Sequence, residues 1–243
     1  MFNLFRKKQV VPKNKISTDI HSHLLPGLDD GVESFEESLE LIRSFQQLGY
    51  SKLITTPHIM HDFYNNSADD IVSKTSELNT LIAQQGIEIK VVPAAEYYLD
   101  EYLLEKVNDK DFPLLTFGDN YLLFETSFMN QPFYLNEFIF HAKSRGLNPV
   151  LAHPERYAYL QSNMELIDDL ITRGVLLQLN INSITGYYSK QVKKVAEKLI
   201  DSKKIHFLGS DCHNANHMAV TQNARTEKYY NKALSLPLLN NSI

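Results

Sequence analysis

The side chains of this sequence best suited to hold a metal ion fall at one kind of place, the ends of apolar, strand-like runs. His21 and His23 end the first run, His58 ends the second in T-T-P-H, and Glu96 ends the third in A-A-E. Glu125 ends the fourth in L-F-E, His153 the fifth in L-A-H-P, and Asp211 and His213 the seventh in G-S-D-C-H. Only the sixth run has no obvious ligand; it offers Asn180 and Asn182. Residues two apart on a strand point to the same side, so His21 and His23 can grip one ion, and so can Asp211 and His213. An H-x-H pair alone is a weak signal. Histidines and carboxylates at successive strand ends make a strong one, because barrel enzymes build their sites on that rim.

Each residue taken singly has a bland explanation. A strand-end histidine is more often hydrogen-bonded than metal-bound, and Asp29 and Asp30 can form an Asp-Gly turn with Gly31. Glu96 and Glu125 follow apolar runs, where an unpaired carboxylate is costly to bury. A cation explains both, as an Arg or Lys partner also would. Asp30 is a candidate ligand by spacing. His61, His141, His206 and His217 read as structural or surface groups, with His61 the one nearest the expected cleft. The donors are all nitrogen or oxygen, which suits Zn, Mn or Fe. Arg156, three residues after His153 in H-P-E-R-Y, adds a bidentate donor for phosphate. A polynuclear site facing a phosphate monoester can bind its oxygens and generate a hydroxide nucleophile near neutral pH.

The elements that must position these residues alternate. ISTDIHSH reads as strand, and S-F-E-E at Ser34 as a capping box with Glu37, opening a helix that Gly49 stops. SKLITTPH is strand, and Ser67 to Gln85 helix. IEIKVVPAAEYY is strand, followed by a short helix near Asp100; NYLLFET is strand, and Phe133 to Arg145 helix. LNPVLAH, VLLQLNI and IHFLGSD are the last strands, with helices over Met164 to Arg173 and Ser189 to Lys203 between them. Seven apolar strands so regularly crossed over predict a parallel sheet covered on its outer face. A single-domain barrel is favoured, although an open doubly wound sheet gives a similar pattern.

Composition narrows the partners. The 243 residues, 43% hydrophobic and 22% charged, can build one sizeable core. A net charge of −5 argues against nucleic acid as an electrostatic partner. The one cysteine, Cys212, excludes an internal disulfide and suggests a reducing, cytoplasmic compartment. No apolar run approaches membrane-spanning length. Residues 1–15 carry Arg6, Lys7, Lys8, Lys13 and Lys15 and read as a solvated, disordered basic tail. Its sharper reading is a weak peripheral contact with anionic lipid through that cluster and Phe2, Leu4 and Phe5.

Other phosphatase designs fail on residues. C-x5-R fails because Met218 stands sixth after Cys212. D-x-D-x-T fails at Asp109 and Asp111, which Pro113 follows, and no glycine precedes a lysine as a P-loop needs.

The run D-I-H-S-H-L-L-P-G-L-D-D-G, with T-P-H, A-A-E-Y-Y, L-F-E, A-H-P-E-R-Y and S-D-C-H, resembles the polymerase-and-histidinol-phosphatase superfamily. Within it, the match is closest to the bacterial manganese-dependent tyrosine phosphatases of capsule and exopolysaccharide operons, over roughly residues 16 to 240. The resemblance implies a distorted seven-stranded (β/α) barrel, TIM-like and spanning 16–243, with three divalent ions, manganese foremost and Fe or Zn as alternatives. The first ion would take His21, His23, Glu96 and Asp211; the second Glu96, Glu125 and His153; the third Asp30, His58 and His213. Four carboxylates against three such ions leave a charge of about +2, which attracts anions. Arg156, Asp211 and His213 are the expected catalytic residues, with Arg156 on the substrate phosphate. The implied reaction is in-line attack of a metal-bound hydroxide on phosphotyrosine, in the tyrosine-rich tail of a membrane-bound kinase that controls polysaccharide export. Competing expectations are a small-molecule phosphatase acting on histidinol phosphate, a nuclease of the same superfamily, and a non-catalytic module binding phosphotyrosine or the kinase.

Overall fold

The computed structural model describes residues 15–243, so the expected basic tail, apart from Lys15, lies outside the described residues. In chain order the elements begin β1 (Thr18–Asp19), α1 (Phe35–Gln47), β2 (Lys52–Thr55), β3 (His58–Ile59), α2 (Ala68–Gln84) and β4 (Lys90–Pro93). They continue β5 (Glu96–Tyr98), α3 (Glu101–Asn108), β6 (Tyr121–Glu125), α4 (Leu135–Ser144), β7 (Asn148–Ala152) and α5 (Ala158–Gln161). Last come α6 (Met164–Thr172), β8 (Leu176–Asn180), α7 (Lys190–Asp201), β9 (Phe207–Gly209), α8 (Ala215–Ala224) and α9 (Lys228–Ala233).

The fold is mixed α/β, and every strand pairing is parallel. The strands form two sheets, ordered β1-β2-β4 and β3-β5-β6-β7-β8-β9, where the sequence suggests one ring. The difference lies in two runs that break in the middle. The second run divides into β2 and β3 at Thr56-Pro57, and the third into β4 and β5 at Ala94-Ala95. Pro57 has no N–H to offer a ladder, and the backbone turns there while Thr56 N still donates to Ser22 O at 2.7 Å. At the far side, Asp211 N donates to His21 O at 2.8 Å and His23 N to Cys212 O at 3.0 Å. The ends of the first and last runs therefore meet, and the residues at those ends with them.

Helices cover the outside. In α1 the buried Leu39, Leu41, Ile42 and Phe45 recur at helical spacing. Removing a ring as deeply buried as Phe45 costs about 3–5 kcal/mol. The box expected at Ser34 is half made: Ser34 Oγ accepts from Glu37 N, but Glu37 turns back to Glu33 N. The reciprocal box sits on α2, between Ser67 and Asp70. A small inner cluster takes Ile20, Ile54, Ala94, Leu123, Val150, Ala152 and Phe207 from six of the seven runs, as side chains facing a common interior do. Below it, Asn240 Nδ2 donates to Thr18 O and Leu208 O, and its Oδ1 accepts from Leu208 N, stitching the first strand to the last. Helices α8 and α9 have no counterpart among the expected elements.

Candidate metal centre

His21 and His23 are wholly buried where the first run meets the last. Each has its Nδ1 occupied. His21 Nδ1 lies 2.9 Å from Gln178 Oε1, which also accepts from His153 N, and His23 Nδ1 lies 2.6 Å from Asp29 Oδ2. Both acceptors hold a proton on Nδ1, so in the neutral ring each Nε2 presents a lone pair, and otherwise each carries a second N–H. Those two Nε2 atoms face each other at 3.2 Å. Two lone pairs or two N–H groups repel at that distance, whereas two ligands of one ion, each about 2.0–2.1 Å from it, sit comfortably there. The residues present fit a metal.

Glu96 is the hub of the cluster. Its Oε2 lies 3.0 Å from His21 Nε2, 3.5 Å from His23 Nε2 and 3.2 Å from His58 Nδ1, and its Oε1 lies 3.0 Å from His153 Nε2. Glu125 Oε1 approaches His58 Nδ1 from the other side at 3.2 Å. Asp211 Oδ1 is 3.4 Å from His21 Nε2 and 3.5 Å from His23 Nε2. Asp30 Oδ1 stands 3.6 Å from His58 Nε2 and 3.4 Å from His213 Nε2 at the solvent side. The nine candidate ligands are thus brought together. By mutual closeness of ligand atoms they fall into four groups: His23, Asp30, His58 and His213; His21, His23 and Glu96; His21, His153 and Asp211; and His58, Glu96 and Glu125. His58 thus falls both with Asp30 and His213 and with the two glutamates, while His153 falls with His21 and Asp211 and also faces Glu96 Oε1.

The electrostatics show how strongly this site calls for positive charge. Burial alone would raise Glu96, yet the imidazoles of His21 and His58 hold it well below the usual carboxylate range. Asp211 is held down against the same burial by His21, His23, His213 and Arg156. Burial would lower His58, but Glu96 and Glu125 lift it to about 9. Protons or metal ions must supply that charge. His58 Nδ1 and His153 Nδ1 are buried and make no hydrogen bond, so polar capacity at the cluster is left unmet by protein groups.

Local backbone is bent to serve the site. His153 (φ 34°) and Asp211 (φ 50°) both occupy the left-handed region, sparsely populated for such residues, which turns their side chains inward just past β7 and β9. Gly31 and Gly209 leave room: a Cβ on Gly31 would lie 2.5 Å from His23 O, and one on Gly209 2.6 Å from Gln178 Nε2 and 2.8 Å from His21 Cβ.

Arg156 ends a short 3-10 turn over Pro154–Arg156 that follows His153 directly. Its Nη1 donates to Asp211 Oδ2 at 3.0 Å. Phe128 covers one face of the guanidinium at 4.7 Å and Tyr188 packs against it at 4.3 Å. A stacked guanidinium keeps its N–H fork in plane and pre-aimed. The cluster and Arg156 line an open cleft of about 520 Å³ together with Phe128, Tyr187, Tyr188 and His217.

The capsular polysaccharide synthesis CpsB/CapC family model matches residues 17–236. The chain belongs to this family. It is 31% identical over 198 residues to a protein named putative tyrosine-protein phosphatase CapC of Staphylococcus aureus, covering 81% of this chain and 76% of that one. It is 30% identical over 211 residues to tyrosine-protein phosphatase YwqE of Bacillus subtilis, covering 86% and 81%. A solved structure superposes with a TM-score of 0.80 at 28% identity, over 93% of this chain and 96% of that one. It comes from work on YwqE from Bacillus subtilis and CpsB from Streptococcus pneumoniae, described as unique metal-dependent tyrosine phosphatases.

Two residues of this CpsB/CapC chain, Asp29 and Gln178, are not found by a search for ligands at strand ends, and a third, Asn180, is found there but serves as a support. Asp29 orients His23 and accepts from His58 N at 2.9 Å, so it supports the cluster from behind while Asp30 faces it. Gln178 and Asn180, on the run with no ligand, hold His21 and Asp211; Asn180 Nδ2 donates to Asp211 Oδ2 at 2.8 Å. An acceptor on the far nitrogen of a paired histidine is the signal that finds the first two. His61 is not in the cleft; it stacks on Tyr102 in a separate groove. His217, expected to be structural or on the surface, lines the cleft, its Nδ1 3.1 Å from Asp211 O.

Proposed function

We propose that this chain is a metal-dependent protein-tyrosine phosphatase of capsule or exopolysaccharide synthesis, acting on the phosphorylated tyrosine-rich tail of a membrane-bound kinase. The facing Nε2 atoms of His21 and His23, buried against Glu96, which lines the same cleft as Arg156, carry the reading. The named relatives support it. His21, His23, Asp30, His58, Glu96, Glu125, His153, Asp211 and His213 would hold three divalent ions, with manganese our choice. Bound there, such ions supply Lewis acidity toward phosphoryl oxygens and lower the pKa of water. Glu96 would help hold the ions with both oxygens, Oε2 facing His21 and Oε1 facing His153. Arg156 donates its free N–H groups to the phosphoryl oxygens, while its bond to Asp211 keeps the guanidinium at the rim of the cluster. The cleft is open enough for a protein segment: Asp30 and Tyr187 are well exposed at its edge. Among the described residues no helix is long and apolar enough to cross a membrane. We place the enzyme in the cytoplasm, where a kinase tail is accessible and the single Cys212 stays reduced.

The test is phosphate release from a phosphotyrosine peptide and from histidinol phosphate, run in parallel after EDTA treatment, with and without added Mn²⁺. Manganese-restored release from the peptide, with little from histidinol phosphate, is the expected result. The reverse preference overturns the protein-substrate assignment, and release from neither overturns the phosphatase.

A further inference from the structure

Two large rings of the cleft offer no donor atom to a metal and keep part of their surface open beside the candidate ligands. Phe128 and Tyr187 are 39% and 41% exposed, although both line the site. Neither is loose. Phe128 is pinned through its backbone, where Ala158 N donates to Phe128 O at 2.8 Å, and its ring leans on His153 at 5.8 Å and Tyr157 at 5.5 Å. Tyr187 is set edge-on to Tyr188 at 5.0 Å and to His217 at 5.4 Å, and its hydroxyl accepts from Asn216 Nδ2 at 3.1 Å. Tyr188 also packs on Arg156, as Phe128 does, but its hydroxyl is taken up inside the site, accepting from Asn180 Nδ2 at 2.9 Å.

We propose that Phe128 and Tyr187 are specificity-determining walls that select phosphate esters of aromatic alcohols over those of aliphatic ones. The proposal deepens the phosphatase reading and rests on it. With the phosphoryl group at Arg156 and the ligand cluster, the ester oxygen points outward past these rings. In an aryl ester a flat ring is bonded directly to that oxygen, at the depth where Phe128 and Tyr187 present apolar surface. In a serine or threonine ester the same space receives one sp³ carbon, which has no face to stack. Rigid rings already ordered by their neighbours lose little entropy on contact, so stacking and area burial both count toward the aryl ester. Charge does not discriminate, because Arg156 and the cluster meet the same phosphoryl group in either ester.

The experiment is calorimetric titration of the Mn²⁺-loaded protein with phenylphosphonate and with methylphosphonate, which share the charged group and are not hydrolysed. The wild type is expected to bind the phenyl compound about tenfold more tightly. In Phe128→Leu and in Tyr187→Ala the ratio of the two dissociation constants should fall toward one, and Phe128→Tyr should restore it. A wild-type ratio near one overturns the proposal. So does a Phe128→Leu protein in which both phosphonates weaken equally, since the ring would then serve only to steady Arg156. Tyr187→Ala gives the independent reading should Phe128→Leu fold poorly. Loss of the phosphatase reading shows separately, as no phosphate release from a phosphotyrosine peptide by a protein whose phosphonate ratio is intact.

Discussion

Glu96 and Asp211 are buried among imidazoles, whereas Asp19 and Glu155 are buried among neutral donors. Asp19 accepts from Ser210 N and Ser210 Oγ, and burial still pushes its carboxyl up to about 7. Glu155 Oε1 accepts from Asn180 N and Ser183 Oγ, its Oε2 has no partner, and burial pushes it to about 7 as well. The metal-cluster pair moves the other way at equal depth. Depth therefore does not set the direction. His21 acts on Asp19 and Arg156 on Glu155, but too weakly to offset burial, whereas the imidazoles crowded around Glu96 and Asp211 do offset it.

Four substitutions test this contrast, from the largest expected effect down. Glu96→Gln removes the charge on which the histidines converge. Turnover should fall about a thousandfold or more and metal content should drop; a metal-loaded, active variant breaks the assignment. Arg156→Ala removes the second source of positive charge facing Asp211. Turnover should fall about 10²–10³-fold with metal content intact, as for other preorganised donors to a transition state. Asp29→Asn keeps the shape behind His23 but not the charge. Metal affinity should fall about 10–100-fold, and unchanged affinity in a chelator competition shows that Asp29 does not tune the ligand.

Glu155→Gln gives the smallest change. A buried acid with a raised folded pKa favours the folded state while it is protonated, below its unfolded value near 4.5, and that advantage fades as pH rises to about 7. The variant should therefore lose part of the downward slope of thermal stability between pH 5 and pH 7, a change of a few degrees. A slope identical to wild type places the neutral carboxyl elsewhere.

What the sequence makes legible follows from the same contrast. The strand-end candidates are readable because parallel strands end on one side of the sheets and strand periodicity sets which side chains point together, and the structure gathers all of them with Arg156. Between Asp29 and Asp30, spacing cannot decide which side chain faces the cluster and which stands behind it, since a Gly-rich turn has no fixed period. Gln178 sits mid-strand in L-L-Q-L-N and looks like any polar residue until His21 is seen beside it. Pro57 flags the break between β2 and β3, but Ala94-Ala95 carries no comparable mark, so the two-sheet pairing is not readable in advance. Helix α8 is invisible for another reason: its buried residues are Met218, Thr221 and Ala224, too few and too mixed to show a stripe.

The stitch made by Asn240 and the bond from Ser210 to Asp19 join positions 222, 32 and 191 residues apart. During synthesis at about 5–20 residues per second, β1 has β2 beside it early, but its other neighbour arrives only with the last strand. For some ten seconds or more the nascent chain carries an unfinished edge, with His21 and His23 beside it and most of their partners not yet made. The histidines of the first run can meet Asp211 and His213 only after the last strand has been made, so the candidate cluster depends on the longest-range backbone pairing in the described fold.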